Sequence, residues 1–346
     1  MRALPAMCAL LVVGCAPVDG RSDVRPVIAT ATVQARGETA AVETLNADAA
    51  DDPAIWRNPA APSASLIVAT DKRAGLHVYG LDGTDRSFTA AGRVNNVDLR
   101  DMGAGGIIVA ASDRGEPAAA MLALFRLDPR TAMLAPLGKL PVGAGEAYGV
   151  CLYRDGGTLY AFNVLKNGTI NQVAIDLTGS APVGSMVRTM KLATQSEGCV
   201  ADDRTGRLYV AEEDAGVWRF DAKATGSVTG RKIASTDGTH LVADTEGVTI
   251  AAEGPGVGGY LLVSSQGDNA YAVYRLRDDR YVGRFRVGAG QFGATQETDG
   301  IDIGVGDFGP GYPDGLFVAQ DGQNAPKAQN FKLVSWRDIK QALNLR

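Results

Sequence analysis

Short apolar segments recur along the chain, and each ends in a polar, charged turn. Their length, their β-branched content and the turns that bound them are typical of β-strands rather than of helices. The chain is therefore predicted to consist of many short strands joined by tight turns. The six segments span residues 66–73, 107–114, 159–166, 208–214, 260–268 and 316–321.

A second motif precedes each apolar segment and consists of an acidic residue or a Tyr-Gly pair. Taken as equivalents, the six motif residues are 46, 50, 49, 49 and 53 positions apart. A period near 50 with strand-like content indicates an all-β, six-bladed β-propeller with four-stranded antiparallel blades around a central channel. The equivalent residues are Asp52, Asp98, Tyr148, Glu197, Glu246 and Asp299.

The repeated acids predict a metal site at the mouth of this channel. The innermost strand of every blade lines the channel, so equivalent side chains should form a ring there. Five carboxylates that close together repel one another unless cations bind among them. Because the ligands would come from separate blades, we expect the irregular oxygen shell of calcium rather than the strict octahedron of magnesium.

The charged turns follow an order around the predicted ring. The first three repeats supply cations and the last three supply carboxylates. This order predicts a phosphate group held by Lys and Arg on one side and through divalent metal on the other. Alternatively, each turn is charged only because water surrounds it. The turn residues are Lys72, Arg73, Arg114 and Lys166, followed by Glu212, Glu213, Asp214, Asp268 and Asp321.

Composition narrows the possible functions. The 346 residues suit one large domain, and a formal charge of −5 without a basic stripe argues against a nucleic-acid partner. Two histidines are too few for a multi-histidine zinc or iron phosphatase site. No phosphate-binding Gly-rich loop ending in Gly-Lys-Ser/Thr and no Gly-x-Ser-x-Gly elbow occurs.

The N-terminus is expected to be a processing signal. Residues 1–14 combine Arg2 with a short apolar run, and residues 11–15 (LVVGC) resemble a bacterial lipobox. The resemblance implies cleavage before Cys15, lipidation of Cys15 and, because Ala16 follows, anchoring to the outer membrane. The protein would then face the periplasm or the outside; an ordinary secretory signal and a secreted protein are the alternative. Residues 15–40 are predicted to be a tether, within which residues 27–42 could supply a closing strand, and residues 41–346 to be the propeller.

Cys151 and Cys199 lie near the starts of neighbouring repeats. Export would permit a disulfide between them. We expect two buried free thiols instead, because the strand register is unknown and disulfide geometry is strict. Both possibilities stay open on the sequence.

Eleven motifs occur in a fixed order, at residues 51–56, 72–76, 95–98, 111–114, 146–149, 195–198, 211–214, 244–247, 264–267, 298–302 and 315–322. They resemble those of the β-propeller (alkaline) phytases of the 3-phytase type. The resemblance runs from about Ala40 to the C-terminus. It implies a six-bladed propeller that binds several structural and catalytic calcium ions. It also implies release of phosphate from phytate, myo-inositol hexakisphosphate, by direct attack of calcium-bound water.

The resemblance also implies roles for individual residues. Lys72, Arg114, Tyr148 and Lys166 match phosphate-contacting positions, and Arg73 stands where a second lysine is common. Among these, Lys72, Arg114 and Tyr148 are expected to act in catalysis together with Glu213 and Asp299. Glu212 is expected to be a solvated or supporting residue, because strand alternation lets only one of the two glutamates face the channel. The implied calcium ligands are Asp51, Asp52, Asn95, Val97, Glu197, Glu213, Asp244, Glu246, Asp299, Asp321 and Asn324.

One position departs from the family's pattern, and two other functions stay open. Family members commonly carry an aspartate where this chain has Gly293, six residues before Asp299, so one calcium site is expected to be weaker, reshaped or missing. The alternatives are a calcium-dependent, lactonase-like hydrolase and a non-catalytic, lipid-anchored propeller that binds phosphorylated ligands. The expected partners are phytate or calcium-phytate, and the membrane only through the lipid anchor, with the protein as a monomer.

Overall fold

The computed structural model describes residues 28–45 and 48–346. The predicted signal peptide, Cys15 and the first part of the tether lie outside these residues. No helix in the described part of the chain is long and apolar enough to cross a membrane.

The described residues form six sheets arranged around a channel. Two short strands come first, β1 (Ala31–Gln34) and β2 (Gly37–Glu38). Blade 1 contains β3 (Ala50–Trp56), β4 (Leu66–Asp71), β5 (Gly75–Gly80) and β6 (Asp85–Ala90). Blade 2 contains β7 (Val94–Asp101), β8 (Ile107–Asp113), β9 (Ala119–Asp128) and β10 (Met133–Ala144). Blade 3 contains β11 (Ala147–Asp155), β12 (Thr158–Leu165), β13 (Thr169–Asp176) and β14 (Val183–Lys191).

The second half of the ring repeats this arrangement. Blade 4 contains β15 (Ser196–Asp202), β16 (Arg207–Glu212), β17 (Gly216–Asp221) and β18 (Arg231–Ser235). Blade 5 contains β19 (Thr245–Ala252), β20 (Gly259–Ser265), β21 (Ala270–Arg275) and β22 (Arg280–Gly288). Blade 6 contains β23 (Ile301–Val305), β24 (Gly315–Asp321) and β25 (Asn330–Ser335), and helix α1 (Trp336–Leu343) follows. The first strand of each blade contacts those of both neighbours, which closes the ring and confirms the predicted six-bladed propeller.

The N-terminal segment closes the ring through two blades. Strand β2 pairs antiparallel with β25 and supplies the fourth strand of blade 6. Strand β1 pairs in parallel with β22 as a fifth strand of blade 5. Residues 31–38 lie in the part of the predicted tether expected to supply a closing strand, and they pair with blades 5 and 6. Arg36, between the two strands, holds the corner through an ion pair of 2.6 Å with Asp338 of α1.

The hydrophobic core lies between successive blades. Val68, Val109 and Phe125 belong to one cluster that joins blades 1 and 2, and all three are buried. Phe285 and Phe317 belong to another that joins blades 5 and 6. Each blade therefore buries both faces against neighbours, which explains why the six repeats form a single unit.

A bulge shapes the start of the inner strands. In β3, β7, β11, β15 and β19 the first residue pairs with the next strand, and the register then shifts. The residue directly after that first pair enters the channel mouth, and Asp299 takes the same place two residues before Ile301 of β23. The equivalent residues are thus Asp51, Asn95, Tyr148, Glu197, Glu246 and Asp299. The sequence alignment on Asp52 and Asp98 was wrong by one and three positions, because the unpaired bulge residues do not show in motif spacing.

Glycines let the inner strands approach one another at this level. A Cβ at Gly149 would lie 1.9 Å from the Glu197 carbonyl oxygen, and one at Gly198 would lie 2.4 Å from that of Glu246. Gly247 and Gly300 meet the next inner strand in the same way. A glycine therefore follows the ring residue in blades 3–6, because no side chain fits between neighbouring inner strands at this level.

A disulfide joins two of the inner strands. Cys151 of β11 and Cys199 of β15 are bonded, with their Cα atoms 5.7 Å apart. The interpretation of two buried free thiols was wrong, because adjacent inner strands come close enough to meet the distance requirement of a disulfide. The bridge ties the strand that carries Tyr148 to the strand that carries Glu197.

We predict that Gly149→Ala destabilises the protein by about 1–3 kcal/mol, because the new methyl group would overpack the junction between blades 3 and 4. Gly157→Ala is the matched control, since a Cβ there meets nothing within 4 Å. Denaturant unfolding of both variants measures the difference. Equal stability of the two variants would contradict the close approach of β11 and β15.

Candidate active site

One side chain from each blade forms a ring at the channel mouth. Asp51, Glu197 and Glu246 are at most 5% exposed, although all three are carboxylates. Glu213 directly follows β16 and Asp244 directly precedes β19. Both line one cavity together with the ring residues Tyr148, Glu197, Glu246 and Asp299. We call the ring residues together with Glu213 and Asp244 the mouth cluster. Its ring members are Asp51, Asn95, Tyr148, Glu197, Glu246 and Asp299.

The mouth cluster fits a hard cation. Carboxylate oxygens of Glu197, Glu213 and Glu246 all lie within 4.8 Å of one another. Buried oxygens of Asp51, Glu213 and Glu246 accept no hydrogen bond from any residue that the structure describes. Unsatisfied buried carboxylate oxygens are costly, and a metal ion would satisfy them. An all-oxygen donor set of this kind suits calcium or magnesium.

Electrostatics lead to the same conclusion. Burial, with Asp51 and Asp299 close by, raises the pKa of Glu197 well above its usual range. Burial and the neighbouring Glu197 and Asp299 raise the pKa of Glu246 in the same way. Burial raises the pKa of Asp299 to about 7, although Lys72 opposes the shift. Without added positive charge, these carboxylates cannot all ionise at neutral pH.

A second layer of side chains surrounds the ring. The residue directly after the second strand of each blade is Lys72, Arg114, Lys166 and Glu213 in blades 1–4, so the predicted cationic arc is present. The predicted acidic arc is wrong beyond Glu213, because this place is taken by Gln266 in blade 5 and by Gly322 in blade 6. Asp268 pairs with Arg284, and Asp321 pairs with Lys332.

Lys72 bridges the acids at the junction of blades 6 and 1. Its Nζ lies 2.8 Å from Asp51, 3.1 Å from Asp299 and 2.9 Å from Asp48. Burial alone would lower the pKa of Lys72, but these carboxylates raise it above the usual value. The ammonium therefore stays charged at the edge of the mouth cluster.

Arg114 connects blades 2, 3 and 4. Its guanidinium donates to the side-chain oxygen of Asn95 and to the carboxylate of Glu146. Asn95 in turn donates to Glu197 at 2.8 Å. This chain of contacts fixes the direction of the guanidinium relative to the ring.

Tyr148 lies between two cations. Its ring centroid is 5.4 Å from the Arg114 guanidinium carbon and 5.1 Å from the Lys166 ammonium. Its hydroxyl accepts a hydrogen bond from Gln195 at 3.3 Å. Burial and the nearby Glu197 raise the pKa of Tyr148, so the hydroxyl stays protonated and can donate a hydrogen bond.

The other predicted metal residues lie at different depths. The carboxylate of Asp52 accepts a hydrogen bond from the Val97 amide at 3.0 Å, so these two lie together, below the ring. Asp98 lines the same cavity as Asp52 and Val97 and pairs with Arg100 at 2.9 Å. Asp321 and Asn324 do not line the mouth cavity; they surround Lys332 in blade 6.

Several residues at the mouth were not predicted from the sequence motifs. Gln266 occupies the place of Lys72 in blade 5 and donates to Asp299 at 2.7 Å. Gln195 and Asp48 line the mouth cavity, and Asp48 pairs with Lys72. Their position relative to the ends of the strands could have identified them, but this position is known only once the strand register is known. Arg73, by contrast, donates to the Asp48 carbonyl from an exposed position.

Glu212 has a supporting role. It is 1% exposed, which excludes the solvated alternative. Its carboxylate accepts hydrogen bonds from the Ala193 and Thr194 amides and from the Trp218 indole. Glu212 thereby fixes the end of β16, so that Glu213 turns towards the channel.

We predict that metal-free protein loses stability as pH rises from about 4 to about 7. Asp299, Glu197 and Glu246 have folded-state pKa values above those of the unfolded chain. The native state therefore binds more protons than the unfolded state in this window, and stability falls as these protons leave.

Thermal melting with excess chelator between pH 5 and 8, repeated with calcium, measures this effect. The stabilisation by calcium should grow with pH. Glu246→Gln should flatten the pH dependence, since its amide does not ionise. A metal-free melting temperature that rises over the same window would contradict the assigned electrostatics.

The comparisons with known proteins identify the family of this chain. The family model described as Phytase matches residues 1–346. The chain is 42% identical over 313 residues to the 3-phytase of Bacillus subtilis (strain 168), covering 86% of this chain and 81% of that protein.

Two solved structures show only a weak likeness, on which no conclusion rests. The first, a chain of the crystal structure of the mitotic checkpoint complex, has a TM-score of 0.48 and 13% identity, with 97% of this chain and 85% of that chain covered. The second, a chain of the crystal structure of BBS1N in complex with ARL6DN, has a TM-score of 0.47 and 10% identity, with 79% and 76% covered. The family match and the identity to the 3-phytase confirm the resemblance seen in the motifs, and this chain belongs to the phytase family of enzymes.

Proposed function

We propose that the protein is a calcium-dependent phosphomonoester hydrolase that releases phosphate from phytate. One observation carries the proposal: three buried glutamates, Glu197, Glu213 and Glu246, converge within 4.8 Å, and Lys72, Arg114 and Lys166 stand around the same mouth. The name of the 42% identical relative, a 3-phytase, supports phytate as the substrate.

The mouth cluster would hold the calcium. Its carboxylates come from blades 1, 4, 5 and 6, and three of them have buried oxygens without a donor among the described residues. Bound calcium would supply positive charge to the phosphate oxygens and activate a water molecule for in-line attack on phosphorus. The residues that would hold it are Asp51, Glu197, Glu213, Asp244, Glu246 and Asp299.

Lys72 and Arg114 would orient the reacting phosphate. Carboxylates already fix Lys72, and the Glu146 carboxylate and the Asn95 amide oxygen already fix Arg114. Little conformational entropy is therefore lost when the two cations exchange these partners for phosphate oxygens. The planar guanidinium of Arg114 can hold two oxygens at once, and this charge is most effective when it increases in the transition state.

Tyr148 and Lys166 would bind a neighbouring phosphate of the same inositol ring. The phenol is protonated and can donate, and the ammonium of Lys166 lies 5.1 Å from the centre of its ring. A substrate with several phosphates could thus be bound through one phosphate while a neighbouring phosphate is hydrolysed.

Direct attack by water agrees with the side chains that are present. Both histidines are engaged away from the mouth, His77 with Asp85 and His240 with Asp237. Cys151 and Cys199 are joined in a disulfide. The described residues therefore offer no histidine or cysteine nucleophile at the mouth cluster, and a covalent phosphoenzyme is not needed.

We predict that phosphate release from phytate requires calcium and falls about 10²–10³-fold in Arg114→Met or Lys72→Met, because transition-state charge loses a fixed donor. Lys223→Met, on the exposed outer part of blade 4, is the control and should leave the rate unchanged. Release is measured colorimetrically with calcium and with excess chelator. Unchanged rates in both Arg114→Met and Lys72→Met would contradict the proposal.

Glu213→Gln should weaken calcium binding and turnover together, because the amide keeps the shape and loses the charge. Calcium titration of the purified variant, followed by its rate at saturating calcium, separates the two effects. Calcium-dependent binding of phytate without any turnover in the wild type would instead favour the non-catalytic alternative.

We also infer that the protein is exported and anchored to the outer membrane through Cys15. The disulfide supports an oxidising compartment. Cys15→Ala should move the protein from the membrane fraction to the soluble fraction of its native host, while Cys8→Ala should not. Membrane association that survives Cys15→Ala would rule out the lipid anchor.

A further inference from the structure

A lysine is completely buried in blade 6. The side chain of Lys332 on β25 is 0% exposed. Its Nζ lies 2.7 Å from Glu38, 2.9 Å from Asn330, 3.1 Å from Asp321 and 3.4 Å from Asn324. Each of these contacts is to a side-chain oxygen, so the ammonium sits in an all-oxygen shell.

This shell contains two of the residues expected to bind calcium, Asp321 and Asn324. A calcium ion would need these oxygens at about 2.3–2.6 Å around a common centre. The ammonium already occupies that centre with only two acids, Glu38 and Asp321, around it, so a second cation would be repelled. Lys72 at the mouth differs, because additional carboxylates there remain for a metal. The donors present therefore do not fit a metal in addition to Lys332.

Gly293, where the family commonly has an aspartate, lies next to this shell. A Cβ at this position would lie 3.6 Å from the Lys332 ammonium and 4.0 Å from Asp321. The residue at which a further carboxylate would be expected thus faces the ammonium directly, and it brings no charge. With only Glu38 and Asp321 as acids, one ammonium leaves a net charge of about −1, which the two amide side chains and Glu38's partial exposure can accommodate.

We propose that the cation of blade 6 is the ammonium of Lys332 and that Asp321 and Asn324 bind no calcium. The lysine joins three strands: Glu38 belongs to the N-terminal strand β2, Asp321 to β24 and Lys332 to β25. It therefore fastens the closing strand of the propeller without metal. A buried charge is tolerated only when it is paired, which explains why all four partners converge on it.

The first test counts calcium. Bound calcium per chain is measured by equilibrium dialysis and elemental analysis for the wild type, Asp321→Asn and Asn324→Ala. We expect the same number in all three. Loss of one calcium ion in either variant would overturn the proposal. Asn324→Ala keeps the test valid if Asp321→Asn does not fold, because it leaves both acids paired with the lysine.

The second test removes the ammonium. In excess chelator, Lys332→Met should melt at least roughly 5 °C below the wild type, since Glu38 and Asp321 lose their buried partner. Lys327→Met is the matched control, because Lys327 also approaches Glu38, at 3.8 Å, but is exposed. It should melt like the wild type. A Lys332→Met protein as stable as this control would contradict the role of the ammonium.

Discussion

The close approach of the inner strands at the channel mouth is the constraint on which the rest of the structure depends. Glycines follow the ring residue in blades 3–6, and a Cβ at Gly149 would lie 1.9 Å from the Glu197 carbonyl oxygen. This approach brings carboxylates from separate blades within a few ångströms of one another and out of water. Burial, together with repulsion between neighbouring carboxylates, raises the pKa values of Glu197 and Glu246, so these groups ionise together at neutral pH only when cations are close by.

The fold meets this need for cations in two different ways. Lys72 and Lys332 are built-in cations with buried partners, and they hold the junctions between blades 6 and 1 and between the closing strand and blade 6. Glu197, Glu213 and Glu246 instead lie with carboxylate oxygens within 4.8 Å of one another, and one buried oxygen each of Glu213 and Glu246 has no donor among the described residues. The Lys332 ammonium therefore suits a place where strands must stay joined, whereas the mouth cluster, with Lys72 at its edge, keeps oxygens that a metal ion would satisfy.

Much of this could be predicted from the sequence, and the failures share one physical origin. The period near 50 residues gave the blade number, and the turn residues Lys72, Arg114, Lys166 and Glu213 were found by their place after an apolar strand. The bulge at the start of each inner strand hid the true equivalence of Asp51 and Asn95. The disulfide and the partner of Asp321 depend on distances between separate blades and segments, which motif spacing does not encode.

Because the ring residues come from different blades, the stability of the closed propeller and the binding of a cation in the ring depend on each other. Asp51, Glu197, Glu246 and Asp299 lie on or next to four inner strands, so a cation among them is bound only when the ring is closed. By linkage, any ion that binds this closed state stabilises it, and any change that loosens the ring weakens the site. The Cys151–Cys199 bridge and the Lys332 contacts act on the same equilibrium from outside the cluster, because each reduces the freedom of strands to separate. The parts of the chain that hold the propeller closed are therefore also the parts that keep the mouth cluster assembled.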